Sequence, residues 1–329
     1  MNSEIPKVSI CIPTYNQGRF LGECLQSALN QTYRDIEIIV SVNHCTDNTD
    51  EVLGQFSDPR LRIVRPGQFL PVKDNFTFCI SRSRGEYFCY VCSDDLFLPE
   101  FIESQASFLD RYPSVAFVYC AVERIDEAGK TIRLEKSINH SWVRKGSQEL
   151  KRYIDGMKCV GDACLVRRAA YEAVGGIDTE LFVDWELCLR LLQYGDVAYN
   201  ERVLMKYRDW VDEYRAGARR WEFFLALISF YETYQPKILQ LYPGWLKLFK
   251  KARRKKALSF ITSSITFNPG PRREIKEQIF RLSNSWMVKV KLFLVTIGLG
   301  FIWRGKKRAI ARLRYKVKPV FYPRSIKKL

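Results

Sequence analysis

Four apolar runs of strand-like composition punctuate the start of the chain: KVSICI (7–12), IEIIVSV (36–42), LRIVR (61–65) and EYFCYVC (86–92). Helical patterns lie between them. GRFLGECLQSALNQT places apolar residues at 20, 21, 24, 25, 28 and 29, one face of a helix. CTDNTDEVLGQF offers Thr46 or Asp47 as an N-cap with a helix behind it, and VKDNFTFCISRS (72–83) reads as a third helix. Strands alternating with helices at this spacing build βαβ units and hence a parallel sheet with helices on its faces. An α/β domain is expected, with its ligand crevice at the carboxyl ends of the strands.

Downstream, VAFVYCAVERI and KTIRLE flank DEAG, a hairpin-like turn. Residues 147–156 read as helical, VGDACLVRR (160–168) as a strand and VAYNERVLMKYR (197–208) as a strand pair. AAYEAVGGID holds a short helix ended by Gly175 and Gly176, and WELCLRLLQYG (185–195) an amphipathic helix ended by Gly195. Beyond it the pattern is helical, over 213–234, 236–257 and 273–295. Two regions are expected: 1–212, carrying the alternating pattern, and 213–329, helical and basic.

Charge separates the same two regions. The chain carries +17, yet residues 247–329 hold 24 Lys and Arg against Glu274 and Glu277, leaving the first 246 residues net acidic. Ten cysteines sit mostly among Ile, Val, Phe and Leu, as reduced core thiols do. Cys89 and Cys92 form a lone pair with opposite facing on a strand, and the chain has only His44 and His140, so no zinc site is expected. The opening run lacks a basic segment before its apolar residues and is broken by Pro13, which predicts a cytoplasmic chain.

The chemistry is expected where strands end. Pro13-Thr14-Tyr15-Asn16 follows the first run, Asn43 to Asp47 the second, and Asp94-Asp95 the fourth. Two like charges one residue apart repel unless a cation or a set of donors holds them. Such a pair suits a hard divalent cation, Mg²⁺ or Mn²⁺, whose remaining ligands are phosphate oxygens. Capping of the helix that starts near Pro99 accounts for one of these acids, not readily for both. Asp184, in GGIDTELFVDWELCLRL, stands at a helix start. It can cap that helix, or face the crevice and take a proton as a general base.

These stretches resemble the inverting, nucleotide-sugar-dependent glycosyltransferases of family 2, which have the GT-A fold. VSICIPTYNQGRFLGECLQSALNQTYRDIEIIV is similar to that family's opening strand and helix, and HCTDNTDEV to its second strand-end loop. SRSRGEYFCYVCSDDLFLPEFIE resembles its metal-diphosphate motif, and VGGIDTELFVDWELCLRLLQYGDVAYNERVLMKYR its acceptor-side motif. The resemblance spans about residues 5–210. It implies a GT-A core with a mostly parallel, Rossmann-like sheet, and a hexosyltransferase-type activity. Donor-binding residues would be Pro13, Thr14, Tyr15 (stacking on the base), Asn43, Asn75 and Asp94; Asp95 would bind the metal; Asp184 would be the catalytic base. The family pattern also implies a nucleotide-sugar donor and a saccharide or lipid-linked acceptor, in cell-envelope polysaccharide or glycolipid assembly. Val42, Cys92 with Ser93, Val183 and Trp210 depart from it, at positions where relatives carry acids or a His. A catalytically weakened or non-catalytic nucleotide-binding protein on the same fold is the alternative these departures leave open.

In the basic region, VKVKLFLVTIGLGFIW (288–303) has twelve uncharged residues from Leu292 to Trp303, too few to span a bilayer. Lys289, Lys291 and RGKKRAIARLRYKVK flank it, with Trp286 and Trp303 near its ends. That pattern suits an anionic membrane surface, here at the inner face of the cell membrane. A core helix with a solvated basic face is the alternative. The sequence shows no nucleic-acid motif, and nucleic acid is not an expected partner.

Overall fold

The computed structural model describes residues 5–178, 183–209, 219–264, 277, 279–281 and 283–296. They fall into two compact units that divide at residue 210.

The first unit is a ten-stranded mixed sheet flanked by helices. Its strands are β1 (Val8–Thr14), β2 (Ile36–Val42), β3 (Leu61–Val64), β4 (Tyr87–Tyr90), β5 (Leu96–Phe97), β6 (Val115–Ile125), β7 (Thr131–Glu135), β8 (Trp142–Arg144), β9 (Cys164–Arg167) and β10 (Asp196–Arg208). The helices are α1 (Gly18–Leu29), α2 (Thr49–Leu53), α3 (Val72–Ser81), α4 (Phe101–Arg111), α5 (Gly146–Tyr153), α6 (Arg168–Ala173) and α7 (Val183–Tyr194). The sheet order is β3-β2-β1-β4-β9-β6-β10-β5, with β7 on β6 and β8 on β10. The β3-β2-β1-β4 half is parallel throughout, as the alternation of strands and helices requires.

Every residue of β1, β2 and β4 is buried, which explains why these runs are continuously apolar rather than alternating. Val8, Ile10, Ile12, Ile38 and Val40 pack with Leu21, Cys24, Leu25 and Ala28 of α1. Each of the Val, Leu and Ile side chains among them contributes about 1.5–3 kcal/mol by leaving water. β7 is exposed along its whole length and edges the sheet beside β6.

Two expectations are corrected in this unit. Residues 160–168 are not one strand: Gly161–Ala163 form a 3-10 turn, and β9 starts at Cys164. β9 then runs antiparallel to both β4 and β6, inserted between them. Residues 197–208 are one strand, not two. Asn200, Glu201 and Arg202 make a bulge in β10 where its register against β6 slips. The bulge persists because Asn200 satisfies its own backbone, accepting from the Arg202 N–H at 3.1 Å while donating to Ser104 Oγ at 2.7 Å.

The second unit contains α8 (Arg219–Leu241), α9 (Leu246–Ser264) and α10 (Trp286–Thr296). The expected break at Pro236 does not occur; α8 continues through it, and the chain turns instead at Pro243–Trp245. Ile228, Phe230, Tyr231, Tyr234, Ile238 and Phe249 are buried in this unit. Residues 297–329, which include the end of the apolar stretch and most of its basic flank, lie outside the described residues, as does Trp210.

Candidate active site

Because β1, β2 and β4 are parallel and adjacent, the segments that follow them share one rim of the sheet. Backbone strain gathers there. Among the described residues, the non-glycine residues with positive φ are Asn16 (52°) and His44 (53°), just past β1 and β2. Asn16 is held by its side chain, whose Oδ1 accepts from the Thr46 N–H at 2.8 Å. Asp47 ties the same corner together, accepting from the Gly18 N–H at 2.7 Å and from Thr49 Oγ1 at 2.6 Å. Burial raises its pKa, but these donors win and hold it below the usual carboxylate range.

The residues expected to contact the donor take up different roles on this rim. Pro13 and Thr14 are the buried last residues of β1, and Thr14 Oγ1 has no hydrogen-bond partner among the described residues. Tyr15 is 48% exposed and stands edge-on to Phe69, ring centroids 5.0 Å apart. Asn43 is tied to the next loop: its Nδ2 donates to the Leu70 carbonyl at 2.8 Å, and its Oδ1 accepts from the Leu70 N–H at 2.9 Å. It therefore helps fix the loop that carries Phe69. Asn75 is buried on α3 and accepts from Ser41 Oγ at 2.6 Å.

Asp94 and Asp95 follow β4 in a tight turn, with the Asp95 N–H donating to the Cys92 carbonyl at 2.9 Å. Both are buried. Arg208, the last residue of β10 and itself 2% exposed, holds the turn from the opposite side. Its backbone N–H donates to Asp95 Oδ1 at 2.7 Å and its Nε to the Asp94 carbonyl at 2.9 Å. Its remaining guanidinium nitrogens go to Glu23 Oε2 and the Glu127 carbonyl, each at 2.7 Å. Arg208 thus holds the acidic pair through its own backbone N–H and through the Asp94 carbonyl.

A third acid joins them. Asp162, in the Gly161–Ala163 turn, is 4% exposed, accepts from the Cys92 N–H at 2.9 Å and lies within hydrogen-bond reach of the Asp95 carboxyl. Burial first, and then the charges of Asp162 and Asp94, push Asp95 well above the ordinary carboxylate range; burial also raises Asp162. Asp95 Oδ2 is buried without a hydrogen-bond partner among the described residues. An acceptor-only group in that position costs free energy unless a proton or a cation satisfies it. Hard carboxylate oxygens of this kind fit Mg²⁺ or Mn²⁺, and Asp95 has an oxygen that could be offered to such an ion.

Asp184 lies in the first turn of α7. Tyr90, at the end of β4, donates its hydroxyl to Asp184 Oδ1 at 2.5 Å. Burial, followed by the charge of Asp162, raises Asp184 to about 7 despite that hydrogen bond. α7 is anchored by Arg190, which pairs with buried Glu186 and donates to the Val174 and Gly176 carbonyls. Gly161 makes room for Asp184: a Cβ there would overlap the Asp184 carboxylate. The arrangement joins a cation-ready carboxylate to a second carboxylate poised to exchange a proton near neutral pH.

Asp162, Tyr90, Arg208 and Gly161 are absent from the expected set. A lone Asp inside an apolar run, VGDACLV, was the readable signal for Asp162.

The model of glycosyl transferase family 2 matches residues 9–175, just over half of the chain. An uncharacterized glycosyltransferase of Rickettsia typhi is 29% identical over 210 residues, covering 63% of this chain and 65% of that protein. The chain therefore spans less than two thirds of that relative. The crystal structure of Staphylococcus aureus TarS 1-349 in complex with UDP-GlcNAc superposes with a TM-score of 0.59 over 98% of both chains at 14% identity. A mannosyltransferase of Pyrobaculum calidifontis, in complex with GDP-Man and Mn2+, gives a TM-score of 0.53 over 90% of this chain and 88% of its own, at 15% identity. At these identities the structures speak for a shared fold, the GT-A architecture with its central sheet. By its sequence motifs in order, its fold and its family match, the chain belongs to glycosyl transferase family 2.

Proposed function

We infer that this protein is an inverting, metal-dependent glycosyltransferase that moves a sugar from a nucleoside-diphosphate donor to an acceptor hydroxyl. The observation that carries this reading is the division of labour among the buried acids. Asp95 keeps an oxygen with no protein partner, and Asp184, on another element, is raised to about 7. Asp95 would hold Mg²⁺ or Mn²⁺, which when bound offsets the charge of the departing diphosphate. The exposed Tyr15–Phe69 pair offers a face for a base. Asp94 would accept hydrogen bonds from the donor's hydroxyls. Asp184 takes the proton of the acceptor hydroxyl, and Tyr90 orients it from Oδ1. A single displacement with one base inverts the anomeric carbon.

A saccharide or lipid-linked acceptor and a role in cell-envelope polysaccharide or glycolipid assembly fit a chain that works at a membrane surface. Among the described residues no helix is long and apolar enough to cross a membrane. The helical unit instead has a cavity of about 670 Å³ lined by Lys247, Lys250, Lys251 and Arg254 among others. A cluster of this charge is drawn to anionic headgroups, which supports peripheral attachment at the cytoplasmic face.

The decisive experiment measures release of nucleoside diphosphate from a panel of sugar donors with Mn²⁺, in the native chain and in Asp184→Asn. Turnover in the native chain alone is expected. Equal turnover in both removes Asp184 as the base; none in either, together with donor-induced thermal stabilisation, favours a non-catalytic nucleotide-binding protein. For the membrane reading, a Lys250→Glu/Lys251→Glu/Arg254→Glu variant should no longer float with anionic vesicles. Unchanged flotation would remove this cluster as the anchor.

A further inference from the structure

Two cysteines five residues apart and a third, 29 residues from the first, meet beside Asp184. Cys159 precedes the Gly161–Ala163 turn, Cys164 opens β9, and Cys188 lies one helical turn after Asp184 on α7. Their sulfurs all lie within 4.8 Å of one another. Cys159 Sγ is 3.9 Å from Cys188 Sγ and 3.8 Å from Cys164 Sγ. Tyr153 Oη stands beside them, donating to Cys159 Sγ at 3.3 Å. Cys164 and Cys188 are buried, whereas Cys159 is partly open.

These spacings have a chemical meaning. Thiolates bound to zinc at about 2.3 Å are about 3.8 Å apart when tetrahedral and about 4.0 Å apart when trigonal. The separations of Cys159 from Cys164 and Cys188, 3.8 and 3.9 Å, lie within that range. A small cavity of about 140 Å³, lined by Cys159 with Ser137 and Lys158 among others, lies against the partly open member of the cluster. No disulfide joins any of the three.

We propose that Cys159, Cys164 and Cys188 form a binding site for a soft d¹⁰ cation, zinc, with Tyr153 or a solvent molecule at the fourth position. Binding converts three thiols to thiolates and releases three protons to solvent, with no change of oxidation state. The site ties together the two elements that carry the active-site acids. Cys159 and Cys164 bracket Asp162, and Cys188 shares a helix face with Asp184. Zinc here is structural: it fixes the 159–164 segment against α7 and is separate from the hard-cation position at Asp95.

The test uses the full-length chain expressed with zinc and dialysed, with metal measured by plasma mass spectrometry. About one zinc per chain is expected, and Co²⁺ exchanged into the site should show thiolate-to-cobalt charge-transfer absorption. Cys188→Ser and, as the milder change at the partly open position, Cys159→Ser should each lose most of the bound zinc and the cobalt band. Cys89→Ser, a buried thiol outside the cluster, should lose neither. Removing zinc from the native chain should lower its melting temperature. Sub-stoichiometric zinc with no cobalt band in the native chain overturns the proposal. So does full zinc retention in both cluster variants, or a disulfide among the three thiols in the purified, metal-free protein.

Discussion

The two ends of the sheet each bury a carboxylate, and they treat it in opposite ways. At the amino ends of the strands, Glu37 of β2 is 3% exposed. It accepts from Ser9 Oγ at 2.8 Å, from the Arg84 N–H at 2.6 Å and from Arg62 at 2.9 Å. Burial raises its pKa, but these donors outweigh burial and hold it below the usual range. At the carboxyl ends, Asp95 is 1% exposed and receives one backbone N–H on Oδ1, while its other neighbours are acids. Two carboxylates alike in solvent exposure thus have opposite proton preferences: donors outweigh burial at Glu37, whereas at Asp95 deeper burial and neighbouring acids act in the same direction. Glu37 is a finished structural contact. The Asp95 group is complete only with a cation or a proton, the condition of a site made to bind something.

The strongest way to test that contrast is to remove the groups assigned to chemistry. Asp184→Asn should lower kcat by about 10²–10⁴, the usual worth of a general base, with donor binding kept. The native kcat/KM should rise with pH and level off above about 7, where Asp184 is ionised. The variant's residual rate should lack that inflection. Stability runs the other way. Asp184 binds its proton more tightly folded than unfolded, so its contribution falls as pH rises from the unfolded carboxylate range toward 7. Glu37, lowered by folding, contributes above the ordinary glutamate range and loses that contribution as acid protonates it. Urea midpoints across pH, compared with Asp184→Asn and Glu37→Gln, separate the two.

Next in size is an exchange of consequences between the ends. Glu37→Gln should cost about 1–3 kcal/mol, because the Arg62 guanidinium then faces an amide in a buried place, while kcat stays near the native value. Asp95→Asn should hold or raise the melting temperature, since its amide can donate to the Asp162 carboxylate and one of three crowded acids is gone. The same change should abolish Mn²⁺-dependent nucleotide binding by calorimetry. Loss of stability in Asp95→Asn and loss of turnover in Glu37→Gln would invert the comparison.

Much of this is legible in the sequence. The parallel half of the sheet followed from apolar runs alternating with helical patterns, and the acids of residues 94, 95 and 184 stood out as charges at element ends. What stayed hidden depends on pairing across distance. VGDACLV has a strand's composition, and nothing local shows that its first part turns while its second inserts antiparallel between β4 and β6. Asp162 stands out there as a lone acid, but the turn that brings it to Asp95 does not show. Arg208 is 113 residues from Asp95 and reads as an ordinary cation after a strand. Cys159, Cys164 and Cys188 lack the paired spacing that marks thiol sites in sequence, so their convergence is visible only in three dimensions.

The smallest expected effect is also the most selective. Gly161→Ala alters no charge and removes no hydrogen-bonding group, yet its methyl would occupy the space of the Asp184 carboxylate. Either the turn moves, carrying Asp162 with it, or Asp184 swings off Tyr90. Both outcomes would displace the Asp184 carboxylate, the base in the proposed reaction, while the rim at Thr14 and Tyr15 stays as it is. We expect kcat to fall by about tenfold, equivalent to about 1.4 kcal/mol, with little change in donor KM and a shifted pH inflection as Asp184 leaves its pocket. A kcat loss with an unshifted inflection would assign Gly161 to the fold of the turn. A shift without loss of rate would show that proton transfer from the acceptor is not what limits turnover, and that the acidic end of the sheet serves binding first.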